Sequence, residues 1–259
     1  MEGIRLFFMN QENSYMFNLF EKAIIMIIVL LGCYIIIKNS NTLRKNLKLN
    51  RKISTIFASI LILQQVFLTI ENVILEKNNI LNLIPCYLSR VAIILVVIAL
   101  LTNYRAIRNI SCYLGFFIGA YCIITHNINN NFYLYNTLNY IGYILLIWGV
   151  TSIVSIDNFK LEEKTLKNIF IITNVYCIFL IVLNNFLNLN YDIISGTSLG
   201  IYESLSKSGY TFLGLLLINI AIVFTHLLIR LILWEIDASF KLEFKTIIEK
   251  DKLNKAELE

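Results

Sequence analysis

"TFLGLLLINIAIVFTHLLIRLILW", Thr211 to Trp234, runs for 24 residues with a single charge, Arg230. Wound as a helix at about 1.5 Å per residue it reaches about 36 Å, enough to cross a hydrocarbon core of about 30 Å. Blocks of the same kind recur along the chain, at residues 18–37, 53–75, 80–102, 110–126, 132–155, 168–189 and 210–234. They are too long for strands and lack a two-residue alternation, so they predict helices rather than a β-barrel. The 259 residues are 58% hydrophobic, with a mean hydropathy of +0.71, against about 45–50% apolar in a soluble domain. The chain reads as an integral membrane protein with little soluble part.

The breaks between blocks set the orientation, because Lys and Arg concentrate in cytoplasmic loops. "KNSNTLRKNLKLNRK" (Lys38 to Lys52) carries Lys38, Arg44, Lys45, Lys48, Arg51 and Lys52 and no acid. Basic residues return at Arg105 and Arg108, at Lys160, Lys164 and Lys167, and along the segment after Trp234. The alternate breaks hold only Lys77 and Lys207, with Arg5 near the start. Every second loop is therefore basic, which requires an odd number of crossings. The expected fold class is all-α: a polytopic membrane bundle of seven transmembrane helices, N-terminus outside and C-terminus cytoplasmic. Residues 1–234 would form the bundle, and 235–259 a charged, amphipathic helical tail. The formal charge of +5 is accounted for by these loops, so no nucleic-acid partner is expected. Abundant Ile, Asn and Lys fit AT-rich codons, hence a bacterial plasma membrane. No cleavable signal peptide is expected, since no small-residue site follows the first block.

Trp148 and Trp234 fall toward the inner side. Trp234 closes the last span as an interfacial anchor would, and Arg230 can snorkel to the same boundary. Gly115 and Gly119 in "GFFIG" have the small-xxx-small spacing that lets helices approach closely. The five cysteines, Cys33, Cys86, Cys112, Cys122 and Cys177, are dispersed and odd in number, which suits apolar packing rather than disulfides or a metal cluster. His126 and His226 fall on opposite sides of the membrane, and His226 is read as a helix-packing hydrogen bonder. No phosphate-binding, hydrolase or zinc motif occurs, so neither cofactor nor metal is expected.

Polar groups inside spans are costly and call for a role. Arg90, followed by eleven apolar residues from Val91 to Leu101, is the most conspicuous. Near mid-bilayer an arginine costs on the order of 3 kcal/mol, so it is expected to face the interior and meet Gln64, Gln65 or Glu71, below a kink at Pro85. Asn139, Tyr143, Asn184 and Asn219 lie in outer halves of later spans and would complete a pocket open to the outside. A structural ion pair that fixes helix register is the plainer alternative for Arg90.

The stretch "LIPCYLSR" (Leu83 to Arg90), the segment "NNFLNLNY" (Asn184 to Tyr191) and "SKSGYTFLG" (Ser206 to Gly214) resemble the YwaF-like family of bacterial seven-span membrane proteins, distantly related to a eukaryotic transmembrane acyltransferase family. The resemblance covers most of residues 55–234. It implies the seven-span fold and adds Tyr87, Ser89, Asn190 and Tyr191 to the candidate site. It also marks departures. Tyr87 stands where the family has His, Ser89 where it has Cys, Tyr143 where it has a later His, and Asn188 where it has Gly. Those replacements take away the acyl-transfer nucleophile and its imidazoles.

Three functions stay open. A non-catalytic protein binding or sensing a lipid headgroup or small anion through Arg90 stands first, since a guanidinium suits carboxylate or phosphate. A membrane-embedded acyltransferase-like enzyme using Ser89 or Cys86 stands second, and a small transporter component third. Expected partners are membrane lipids, an anionic small molecule or headgroup, and a cytoplasmic protein through the tail.

Overall fold

The structure is a computed structural model that describes residues 15–75, 88–102, 104–125, 133–156, 159, 163–187 and 207–256. Every element among them is a helix: α1 (Tyr15–Lys38), α2 (Ser40–Lys45), α3 (Leu47–Leu75), α4 (Leu88–Leu101), α5 (Arg105–Thr125), α6 (Tyr133–Ile156), α7 (Glu163–Leu187) and α8 (Lys207–Ala256). Five are long and apolar enough to cross a membrane, through Leu47–Ile70, Arg105–Thr125, Thr137–Ile156, Lys164–Leu183 and Phe212–Asp237. Helix α4 is a shorter apolar piece, and α1 covers the first predicted block.

The break Lys38–Lys52, expected as a loop, is largely helical. Helix α2 occupies its middle, and α3 starts at Leu47, well before the predicted span. Asn46 explains the restart: its side-chain oxygen accepts from the Leu49 amide at 3.1 Å, satisfying one of the first-turn N–H groups that have no helical partner. Arg44 reaches from α2 to donate its Nε to the Ser155 carbonyl at 2.8 Å, in the last turn of α6. A cation there meets the negative end of the helix and an orphan carbonyl together. At the opposite end of the bundle, Lys22 of α1 treats α5 alike, bonding the Ile124 carbonyl at 2.9 Å.

Helix α6 is the axis of the molecule. It touches α1, α2, α3, α4, α5 and α8, and 83% of its membrane window is buried, against 22% in α7. In its enclosed turns buried hydroxyls bond locally, as Thr151 does to the Ile147 carbonyl at 2.8 Å. Gly115 and Gly119 of α5 face it: a Cβ at 115 would stand 2.5 Å from Val150 Cγ2, and one at 119 would stand 2.6 Å from Ile147 Cγ1. Trp148 packs against α1. It is half-buried, lies over Gly32 of α1, and donates its indole N–H to the Val29 carbonyl at 3.1 Å. Trp234 is exposed, as an anchor would be.

Helix α7 lies at the edge, against α8 and a little of α5. Helix α8 passes its membrane window at Asp237 and continues without a break to Ala256.

Candidate functional site

Helices α3, α4 and α6 contact one another pairwise. Between them they carry Gln64 and Gln65, Ser89 and Arg90, and Asn139 and Tyr143. The seam they form is built from unlike parts.

On α3, Gln65 donates its Nε2 to Gln64 Oε1 at 2.9 Å. That bond occupies the Gln64 carbonyl and turns its amide against α6. Gly142 makes the room, for a Cβ there would lie 2.5 Å from Gln64 Nε2 and 2.7 Å from its Cδ. Gln64 is only 3% exposed, and its Nε2 has no hydrogen-bond partner. Asn139 precedes Gly142 by three residues and so shares its helix face. It is 6% exposed, and its Nδ2 is likewise without a partner. A buried amide donor that finds no acceptor costs on the order of 1–3 kcal/mol. Two of them on touching helices are worth explaining, because native interiors hold few.

Aromatic rings stand beside these donors. Tyr140 and Tyr143 are each 7% exposed, and their rings meet edge to face with centroids 6.5 Å apart. Arg90 and Ser89 are half-buried in the first turn of described α4, and Arg90 is engaged in an interaction of its own. A groove of about 450 Å³ runs between α3 and α4, walled by Leu61, Ile62, Val66, Ile93, Ile94 and Val97, with Gln65 and Thr69 among them. Gln65 thus lines the groove and bonds Gln64 behind it.

The other predicted residues fall elsewhere. Asn219 is taken up by Asn174 on α7, which the sequence reading passed over. Asn174 Nδ2 donates to Asn219 Oδ1 at 2.9 Å, and Asn219 Nδ2 donates to Asn174 Oδ1 at 3.1 Å. Each also bonds a carbonyl one turn back on its own helix, Phe170 or Leu215. The pair locks α7 to α8. Glu71 and Asn184 lie on α3 and α7, but their side chains are outside the described residues, as are Tyr87, Asn190 and Tyr191 altogether, together with Pro85, Cys86, His126 and Asn188. His226 bonds Tyr113 across the α5–α8 seam, with 2.7 Å between Nδ1 and the hydroxyl. Cys33, Cys112, Cys122 and Cys177 form no disulfide among the described residues. Among the described residues no group of three His, Cys, Asp or Glu side chains could hold a metal ion.

Chemically, the α3–α4–α6 seam offers hydrogen-bond donors to an acceptor oxygen: a carbonyl, a carboxylate or a phosphate. Gly142 was the residue least visible beforehand. A glycine inside an apolar span signals close approach, but not what approaches.

The family model of the TMEM164 family matches residues 13–230, and the chain belongs to that family, a transmembrane one. No curated protein and no solved structure matches the chain.

Proposed function

We propose that this TMEM164-family membrane protein binds the polar group of a lipid, or a small anion, in the α3–α4–α6 seam, without catalysis. The observation that carries the reading is the pair of buried, unpartnered amide donors, Gln64 Nε2 and Asn139 Nδ2. Arg90, on the third helix of the seam, supplies a planar cation suited to carboxylate or phosphate. The rest of the reading follows the sequence: seven spans, N-terminus outside and C-terminus inside, a seam open to the outer side, and a YwaF-like member of a bacterial plasma membrane.

The test is mass spectrometry of small molecules and lipids retained by the purified protein. Gln64→Leu/Asn139→Leu removes both donors, and Arg90→Lys keeps the charge but loses the fork. An acceptor-bearing species present in the wild type, lost from the double variant and reduced in Arg90→Lys, supports the site. Equal retention in all three overturns it. The double variant removes two unsatisfied amide donors but also the Gln64 acceptor of Gln65, so it should melt close to the wild type.

A second reading rests on Ser89 and Tyr143, which fall on the contacting helices α4 and α6 at the positions where the resemblance places a thiol and an imidazole. A membrane-embedded acyltransferase-like enzyme would use Ser89 as nucleophile. Labelling of Ser89 by a serine-reactive acylating probe, absent in Ser89→Ala, would favour it over plain binding.

A further inference from the structure

A second polar seam lies between α5 and α8, which carry none of the residues of the site above, although α5 packs against α4 and both touch α6. Tyr113 and His226 fix its register through their 2.7 Å hydrogen bond and stacked rings with centroids 6.1 Å apart. On the seven-span reading proposed above α5 and α8 run in opposite directions, so the turns that follow this contact toward the emerging end of α8 can be matched. Backward along α5 come Asn109 and then Arg105; forward along α8 come Arg230 and then Trp234. At about 1.5 Å per residue, Arg230 lies about 6 Å and Trp234 about 12 Å beyond His226.

Exposure along this seam rises in the same direction. His226 and Asn109 are half-buried, while Arg230, Trp234 and Arg105 are exposed. The charge of Arg230 reaches the His226 ring. The acids Glu235 and Asp237 are exposed on α8 but come after Trp234, further toward water. On that reading two guanidinium groups fall on the two helices of one seam, toward the end that Trp234 marks. Guanidinium forks match phosphate oxygens, and basic clefts between helices at the cytoplasmic face suit anionic headgroups.

We propose that this seam is a binding site for the phosphate of an anionic phospholipid in the leaflet from which α8 emerges. Arg230 and Arg105 hold the phosphate from the two helices, and Trp234 sets the depth of the headgroup. Tyr113–His226 closes the seam above it, so the headgroup cannot travel deeper. The site is independent of the function proposed for the α3–α4–α6 seam.

The experiment is native mass spectrometry of the full-length protein released from mixed micelles of phosphatidylglycerol and phosphatidylcholine. Wild type should retain phosphatidylglycerol preferentially. Each arginine near an anionic surface contributes about a fivefold preference, so Arg230→Gln should lower selectivity about fivefold, and Arg105→Gln/Arg230→Gln about 25-fold. Lys252→Gln makes the same charge change on the extension of α8 and should leave selectivity intact. The proposal is overturned if Arg230→Gln and the double variant select phosphatidylglycerol as the wild type does. It is equally overturned if Lys252→Gln lowers selectivity as much as Arg230→Gln, since the attraction is then one of net charge. Arg230 is exposed, so its single variant is expected to melt with the wild type in uncharged detergent, which separates lost binding from lost fold.

Discussion

Replacing Gly115 with alanine should push α5 off the axis of the bundle. The added Cβ would stand 2.5 Å from Val150 Cγ2 on α6 and 3.0 Å from Val96 Cγ2 on α4. Carbon atoms in contact sit at about 3.5–4.0 Å, so the first gap is short by about 1 Å. Neither valine can swing aside: both are fully buried, and a valine in a helix has essentially one χ1 rotamer. Overpacking of this kind costs about 1–3 kcal/mol, while the better helix propensity of alanine returns up to about 1 kcal/mol. A net loss of about 1–2 kcal/mol is expected. The assay is reversible unfolding in micelles, run as a cycle with Val150→Ala, which deletes the methyl that Cβ would strike. In that background Gly115→Ala should be neutral or stabilising, giving a favourable coupling of about 1–3 kcal/mol. Additivity within about 0.5 kcal/mol would mean that α5 and α6 do not meet at Gly115.

Two further outcomes are expected. Asn219→Leu should destabilise the α7–α8 contact by about 1 kcal/mol, because Asn174 is left without its partner, whereas Asn174→Leu/Asn219→Leu should recover most of that loss in the same unfolding assay. For orientation, single cysteines at Asn129 and Ser206 in a cysteine-free background should react with an impermeant thiol reagent in intact cells, and those at Asn41 and Lys252 should not; labelling at Asn41 from outside would reverse the assignment of sides.

The apolar blocks were legible because the bilayer imposes one demand on every residue of a span, and composition records it directly. Helix ends were less so. Lys38–Lys52 looks like a loop by charge, yet its leucines, lysines and arginines are competent helix formers, and the cap at Asn46 together with the Arg44–Ser155 bond decides the outcome. The second of these joins residues 111 apart in the chain, a relation no local pattern contains. Polar residues in spans announced that they matter without naming their partners. Gln64 and Asn139 fall on touching helices as the outer-pocket reading needs, while Asn219, of the same residue type and chosen on the same ground, is closed off by Asn174. Trp148 shows the same limit. Its position toward the inner end of a span could be read from the sequence, but not that the gap left by Gly32 takes the indole into the α1–α6 contact.

Helix α8 is one piece of 50 residues, about 75 Å of unbroken rod where the hydrocarbon core takes about 30 Å. Such a rod behaves as a crankshaft. With no hinge between Phe212 and Ala256, any turn of the membrane part must turn the outer part through the same angle. Phase then matters more than length. One residue inserted after Asp237 swings everything beyond it by about 100°, whereas seven inserted residues lengthen the rod by about 10 Å and leave its faces aimed almost as before. A partner that reads the outer segment would tolerate seven and reject one, and a tail that serves only as a tether would accept both.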